Sequence, residues 1–368
     1  MLKVARRPRS AVIAAMAAMT LTAAVFAGLA SPGAAFADHA WGWNRTPTLN
    51  EGWAPVNRCP VDDPTMLAAD GISDQALCIA DNAPTGSMTV GNLTVALKNS
   101  NHQFGVILGG ETSPVVEPSG GGIDSEPVQL PGGVQELVCP SHGHFARQLC
   151  RGSHGGGWYG SARDATFTLE SAGTPTNFNL FAGLFVGAPF ASIPTKIHLQ
   201  SKFLGDDCYI GSEAEPIMFQ PANLAEPEPV VAIKPFKLNG EPVSEEEQGT
   251  VVNIESLATS QSSAFTVPAA SGCGFRGYFD RAINEKLGLP SSASTNSVTF
   301  NENTGHVIGL AFAEEYAPND GKELSKYWHA AVVPPERGGH GHGHGYGRRL
   351  YHRYEVENYA RHWFRHGH

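Results

Sequence analysis

Six cysteines follow an N-terminal stretch that has the order of an export signal, and this combination constrains the fold more than any other feature of the chain. They are Cys59, Cys78, Cys139, Cys150, Cys208 and Cys273. An even set of thiols bound for an oxidising compartment reads as a disulfide framework. Six thiols allow about 15 pairings, so connectivity is not fixed by sequence. Chain order suggests Cys59–Cys78, Cys139–Cys150 and Cys208–Cys273. Each bond is worth about 2–4 kcal/mol through restriction of the unfolded chain, with the longest loop giving most.

The signal runs over residues 1–37. Lys3, Arg6, Arg7 and Arg9 precede an Ala-, Val- and Leu-rich run, Ala11–Leu29, then Pro32, Gly33 and the small-residue site Ala35-Phe36-Ala37. That order predicts cleavage before Asp38. Arg6-Arg7 also permits a twin-arginine route. Ala11–Leu29 is long enough to act as a retained anchor, but the cleavage site favours removal. No second long apolar run follows, so no transmembrane segment is expected after cleavage.

The whole chain has a formal net charge of -10. Loss of the four basic signal residues and exclusion of an Arg-rich end leaves the body, Asp38–Pro335, near -17. An acidic body argues against nucleic acid as a partner. With 42 glycines, 26 prolines and only 16% charged residues, the composition fits a turn-rich extracellular β protein.

Strand patterns dominate. Ser87–Val95 reads as a hairpin about a Gly91-Asn92 turn. Short strands are expected at Phe104–Leu108, Ala165–Leu169, Phe178–Phe185, Lys196–Leu199, Ile217–Phe219, Val230–Ile233, Val251–Ile254, Ala264–Val267, Ser297–Phe300 and His306–Phe312. Two helices are expected. Thr65–Ala69 is capped by Asp63 and ends at Asp70-Gly71, and Phe279–Leu287 is closed by Gly288 and Pro290. The acidic trio Asp62, Asp63 and Asp70 lacks calcium-loop spacing, and capping accounts for two of them. Glu226–Pro229 and Glu241–Gln248 read as solvated acidic loops. The expected architecture is all-β: a disulfide-stapled β-sandwich or barrel-like domain with few short helices and a flexible C-terminal tail. Its bounds are an extension at 38–58, the β-domain at 59–317, and a linker and tail at 318–368.

Several of these segments are similar to a family of uncharacterised actinobacterial secreted proteins. The resemblance is carried by Leu204-Gly205-Asp206-Asp207-Cys208-Tyr209-Ile210-Gly211, preceded by Ile193-Pro194 and Lys196–Leu199, and by Gly272-Cys273-Gly274 and Gly288–Ser291. Upstream it is carried by Asn57–Asp62 and Lys98–Gly105. It spans about Asn57 to Gly321 and implies secretion, disulfides and a β-rich fold. Some similar proteins carry a cholesterol esterase label. Ser141–Gly160 and the tail after Gly321 lie outside the pattern.

The residues themselves point to no conventional catalyst. A serine esterase needs a nucleophile on a sharp turn, a histidine base and an orienting acid. No Gly-x-Ser-x-Gly is present; Arg151–Gly155 comes nearest. His102, His198 and His306 are candidate bases, each in or beside a strand. Catalytic residues therefore stay unassigned.

Metal ligation has two candidate segments. Cys139, His142, His144, Cys150 and His154 crowd five N/S ligands together; export argues that the cysteines are a disulfide, leaving three histidines. In the tail, His340, His342 and His344 alternate with glycine, and His352, His362, His366 and His368 follow. Neutral imidazoles on such a chain coordinate Zn, Cu or Ni. The tail also mixes six arginines with Tyr351, Tyr354, Tyr359, Trp363 and Phe364. That mixture suits a cell-envelope, lipid or anionic surface. Asp38-His39 is a weak copper signal. The sequence thus predicts a secreted or envelope-associated binding protein with a metal-coordinating tail. The alternatives are a lipid or sterol ester hydrolase and a metal scavenger.

Overall fold

A computed structural model describes residues 46–109, 113–139, 164–225, 232–244 and 249–334. Fourteen strands among them form two antiparallel sheets. Four long strands dominate the larger sheet: β1 (Asp74–Val90), β2 (Leu93–Gly109), β3 (Val251–Ser263) and β4 (Ser297–Leu310). They lie in the order β3-β4-β1-β2, with short strands at both edges. The smaller sheet is built on Thr166–Ser171 and Ile193–Gln200. The expected all-β class and the few short helices are both present.

The β1–β2 hairpin turns at Gly91-Asn92, where Gly91 has φ +54. A Cβ at Gly91 would lie 2.1 Å from the Leu287 carbonyl oxygen, so both conformation and space require glycine. The hairpin is far longer than the sequence pattern implied, because its alternation changes phase halfway. Odd-numbered Leu77 and Ile79 of β1 pack with Phe104, Val106 and Val307. Beyond Pro84, even-numbered Met88 and Val90 pack with Val95, Leu97 and Val298. Phe178 and Phe190 touch both groups, which places them on one side of the sheet.

Each of β1, β2 and β4 therefore carries an extra residue at the same level. Asn99 (φ 40) and Glu302 (φ 50) mark it on two of them. Pairing among these three strands keeps one register throughout. The neighbouring β3 lacks the insertion, and its ladder with β4 shifts register between Ala258 and Ser260 as a bulge. Beyond this kink the smaller sheet covers β1, β2 and β4 with Phe167, Leu169, Ile197 and Leu199.

The reverse side of the other half buries Ala76, Cys78, Ile308 and Leu310 against Trp53, Val56, Met66, Leu324 and Trp328. Two segments placed outside the β-domain by sequence thus belong to its core. Within the expected 38–58 extension, Trp53 is fully buried and edge-on to Phe236. Within the expected 318–368 linker, Asp320–Ala330 is a helix. Its Trp328 Nε1 donates to the Val56 carbonyl at 2.9 Å. Leu49 bridges Val332, closing the two ends of the body on each other. The helix lost its signal in sequence because only Leu324 and Trp328 are large and buried on it, while lysine, glutamate and tyrosine fill the remaining face.

Other expectations change in detail. Ser297–Phe300 and His306–Leu310, the strand part of His306–Phe312, belong to one strand, β4, interrupted in pattern by the kink. Ala264–Val267 is not a strand: Ala264 takes φ +62, ending β3 at Ser263, and only Val267 bridges Ser291. Phe178–Phe185 is not a strand either. Its apolar run folds into a π-helical turn, Ala182–Val186, stopped by Gly187 at φ 71. The two expected helices are present as Pro64–Leu67, with Asp63 Oδ1 accepting from Thr65 N at 2.7 Å, and Asp280–Leu287, closed by left-handed Gly288.

Cys59–Cys78 and Cys208–Cys273 are bonded as chain order suggested. The first ties the N-terminal segment to β1. The second joins the edge of the smaller sheet to the loop before Asp280, whose carboxylate accepts from Cys273 N at 2.7 Å. Cys139 is also disulfide-bonded; Cys150 lies outside the described residues. No helix among the described residues is long and apolar enough to cross a membrane. The bonded cysteines fit a compartment outside the cytoplasm.

Candidate functional site

The kink opens a polar seam inside an otherwise apolar sandwich. Strand alternation should bring apolar side chains to the inner side of β1 and β2 after Ile79 and Phe104. Instead the next inward positions are Asp81 and His102, directly paired across the two strands. Ser100 follows, opposite Ala83. On β4, Gly305 pairs with Asp81, and its missing side chain leaves room between Ser256 Oγ and Asp81 Oδ1. Asn303 Nδ2 donates to Asp81 Oδ1 at 3.2 Å.

A cavity of about 50 Å³ lies over these groups, with Asp81, Ser100, His102, Ser260 and Asn303 on its polar side. Leu169, Phe190, Ile193 and Phe219 form its apolar wall. A second cavity, about 60 Å³, shares Asp81, Phe190, Pro221, Ser260 and Asn303 and extends toward Phe178, Leu180 and Leu184. Each has room for a few waters or a group of similar size.

The polar lining is under-satisfied. Ser100 Oγ, Ser260 Oγ and both ring nitrogens of His102 are buried without a hydrogen-bond partner among the described residues. Buried polar atoms are ordinarily paired, since each one left alone costs about 1–3 kcal/mol. Electrostatics keeps the site uncharged on its histidine side. Burial, aided by the nearby Arg58 guanidinium, pushes the imidazole of His102 down to about 3. Asp81 retains some accessible surface, but removal from bulk water pushes its carboxyl up to about 7, against the lowering effect of the Asn303 hydrogen bond.

The three candidate bases separate clearly. His198 has both nitrogens engaged, Nδ1 with Glu170 Oε1 at 2.8 Å and Nε2 with the Asp206 carbonyl at 3.0 Å, and it stacks on Tyr209. His306 Nδ1 bonds Asn253 Oδ1 at 3.3 Å, and burial lowers its pKa. Among the described residues His102 alone of the three has both ring nitrogens buried without a hydrogen bond, whereas His306, on the wall of the second cavity, keeps its Nδ1 bond. His102 is supported from behind: Gln103 binds Arg58 N, Asn57 and Asn101, while the Arg58 guanidinium donates to the Gly121 and Gly122 carbonyls.

Ser100, His102 and Asp81 are the residue types of a hydrolytic triad, yet they are not linked as one. A working triad needs the histidine bonded to serine and to carboxylate at about 2.6–3.2 Å. Neither His102 nitrogen makes such a bond. The arrangement instead offers hydroxyls, an imidazole and a carboxyl to a neutral polar group.

Among the described residues no cluster of three or more His, Cys, Asp or Glu is set to hold a metal. The tail ligands His340, His342, His344, His352, His366 and His368, and the insertion ligands His142, His144 and His154, lie outside the described residues. The acidic trio is occupied by protein groups. Asp63 caps its helix, and Asp70 accepts from Ile72 N and Ser73 N. Asp62 accepts from Ser325 Oγ and is bonded to His329.

Sequence reasoning passed over Asp81, Ser100, Ser260 and Asn303. The signal that would have found the first two is polar residues standing at inward positions of otherwise alternating strands. Compared with protein-family models, curated proteins and solved structures, the chain matches none.

Proposed function

We propose that this is an exported binding protein of the cell envelope or medium, whose ligand presents a small neutral polar group to the seam at Ser100, His102 and Ser260. The observation that carries this reading is four buried polar atoms without partners around one cavity. Below about pH 7 a neutral group fits, because His102 and Asp81 are both held uncharged there, and the apolar wall favours a carbon skeleton behind it. The resemblance to secreted actinobacterial proteins supports export.

The test is titration of the mature chain with short alcohols, amides and esters, followed by NMR of the imidazole. Saturable perturbation of His102, lost in His102→Phe, is expected. No saturable ligand in the panel, or unchanged binding in the variant, would sink the proposal.

Ester hydrolysis is the second reading, favoured only by the meeting of Ser100, His102 and Asp81 at one cavity. Turnover of a chromogenic ester, abolished by a serine-directed inhibitor that labels Ser100, would establish it over simple binding.

The histidine tail is proposed as an accessory site for Zn, Cu or Ni through His340, His342 and His344. Calorimetric titration of the full chain against a variant with these three changed to alanine tests it. Equal affinity and stoichiometry would refute it.

A further inference from the structure

Between Glu170 and Lys196 the chain carries no charged residue and no histidine. Inside that stretch, Phe178, Leu184 and Phe190 pack into the core. Three side chains on the same turn do the opposite: Phe181 is 66% exposed, Phe185 57% and Val186 58%. The two rings rest on each other at 5.0 Å.

This turn is fixed from both ends. Asn179 Oδ1 accepts from Ala182 N at 3.0 Å, and Asn223 N donates to the Gly187 carbonyl at 2.9 Å. Its inner face, Leu184 and Leu180, is wall of the second cavity. Leu224 and Leu257, beside cavity residues Asn223 and Ala258, are exposed as well. Large apolar side chains held out in water on a braced turn mark a contact surface.

We propose that the Phe181-Phe185-Val186 tip docks the protein on an uncharged or zwitterionic lipid surface. Charge selects that occupant: the tip is neutral, and the acidic body, near -17, is repelled by an anionic bilayer. Area separates it from a second copy. Aromatic side chains bury about 150–250 Å² each, so the three exposed groups offer roughly 350 Å². A stable protein interface needs about 800 Å² per partner. Lipid demands no matching surface, and aromatic rings reach into it from a small footprint. Docking uses only the outer face of the turn and is independent of the internal site.

Flotation of the full mature chain with phosphatidylcholine vesicles tests it. Wild type is expected to float at low and high salt, and Phe181→Ser with Phe185→Ser to lose partition by on the order of ten-fold or more. Both positions are exposed, so the unfolding midpoint should hold. Should the double variant fail to fold, Phe185→Trp serves instead, with a blue-shifted emission expected on the same vesicles. The proposal is overturned by absence of flotation, by equal flotation of the folded double variant, or by an unshifted emission spectrum of the Phe185→Trp protein. It is also overturned by salt-sensitive binding to phosphatidylglycerol alone, which would assign contact to the basic tail, or by a wild-type dimer that the double variant dissociates.

Discussion

Changing Asp81 to asparagine should make the protein more stable as pH rises, relative to wild type. In the folded chain the carboxyl is held neutral up to about 7, whereas its ordinary value is 3.8. Between those limits the folded state binds a proton that the unfolded state has released, so stability falls with rising pH. One proton is worth about 1.36 kcal/mol per pH unit. The interval from 3.8 to about 7 therefore costs wild type up to about 4 kcal/mol, less whatever water in the cavity screens.

Asparagine does not titrate and keeps the acceptor that Asn303 Nδ2 reaches at 3.2 Å. Urea unfolding of both proteins from about pH 4 to pH 8 gives the comparison, and other titrating groups cancel in the difference. The expected difference is smallest near pH 4 and grows in favour of Asp81→Asn until about pH 7, then levels. Parallel profiles would refute the reasoning, because Asp81 would then be an ordinary solvated carboxylate.

His102→Phe should show the opposite slope. The imidazole is held neutral down to about 3 against an ordinary 6.5, so its contribution is complete above 6.5 and is lost as pH falls toward 3; acid titration of unfolding would show the variant resisting acid better. Opening Cys208–Cys273 by double serine substitution removes a loop of 65 residues, worth about 4 kcal/mol, against about 3 kcal/mol for the 19-residue span of Cys59–Cys78; denaturant midpoints should rank the two in that order. Gly321→Ala should cost about 2 kcal/mol or more, read as a lower melting temperature, because the new Cβ would lie 1.9 Å from the Met66 carbonyl oxygen. Trp328→Phe removes one of two donors to the Val56 carbonyl, which keeps the Cys59 N–H at 3.0 Å, and should cost about 0.5–1.5 kcal/mol in the same measurement.

Elements whose cause is local were legible in the chain before any contact was known. Asp63 and Pro64 open a helix, Gly288 closes another, and Gly91-Asn92 turns the hairpin, each because a few adjacent residues settle the backbone there. Alternation likewise gave away the strand-rich class, and chain order suggested the right partners for four cysteines. What stayed hidden was set by contacts between distant strands. The phase change at Pro84, Asn99 and Glu302 looks in each strand like a broken pattern, and becomes a single kink only when three strands align it. That alignment gathers Asp81, Ser100 and His102 with Ser260 and Asn303, far apart in the chain, around one cavity. Likewise Trp53 and Trp328 join the core only because opposite ends of the body meet on the reverse of the sheet. Local propensity fixes turns and caps; the choice of which polar side chains are buried together belongs to the sheet as a whole.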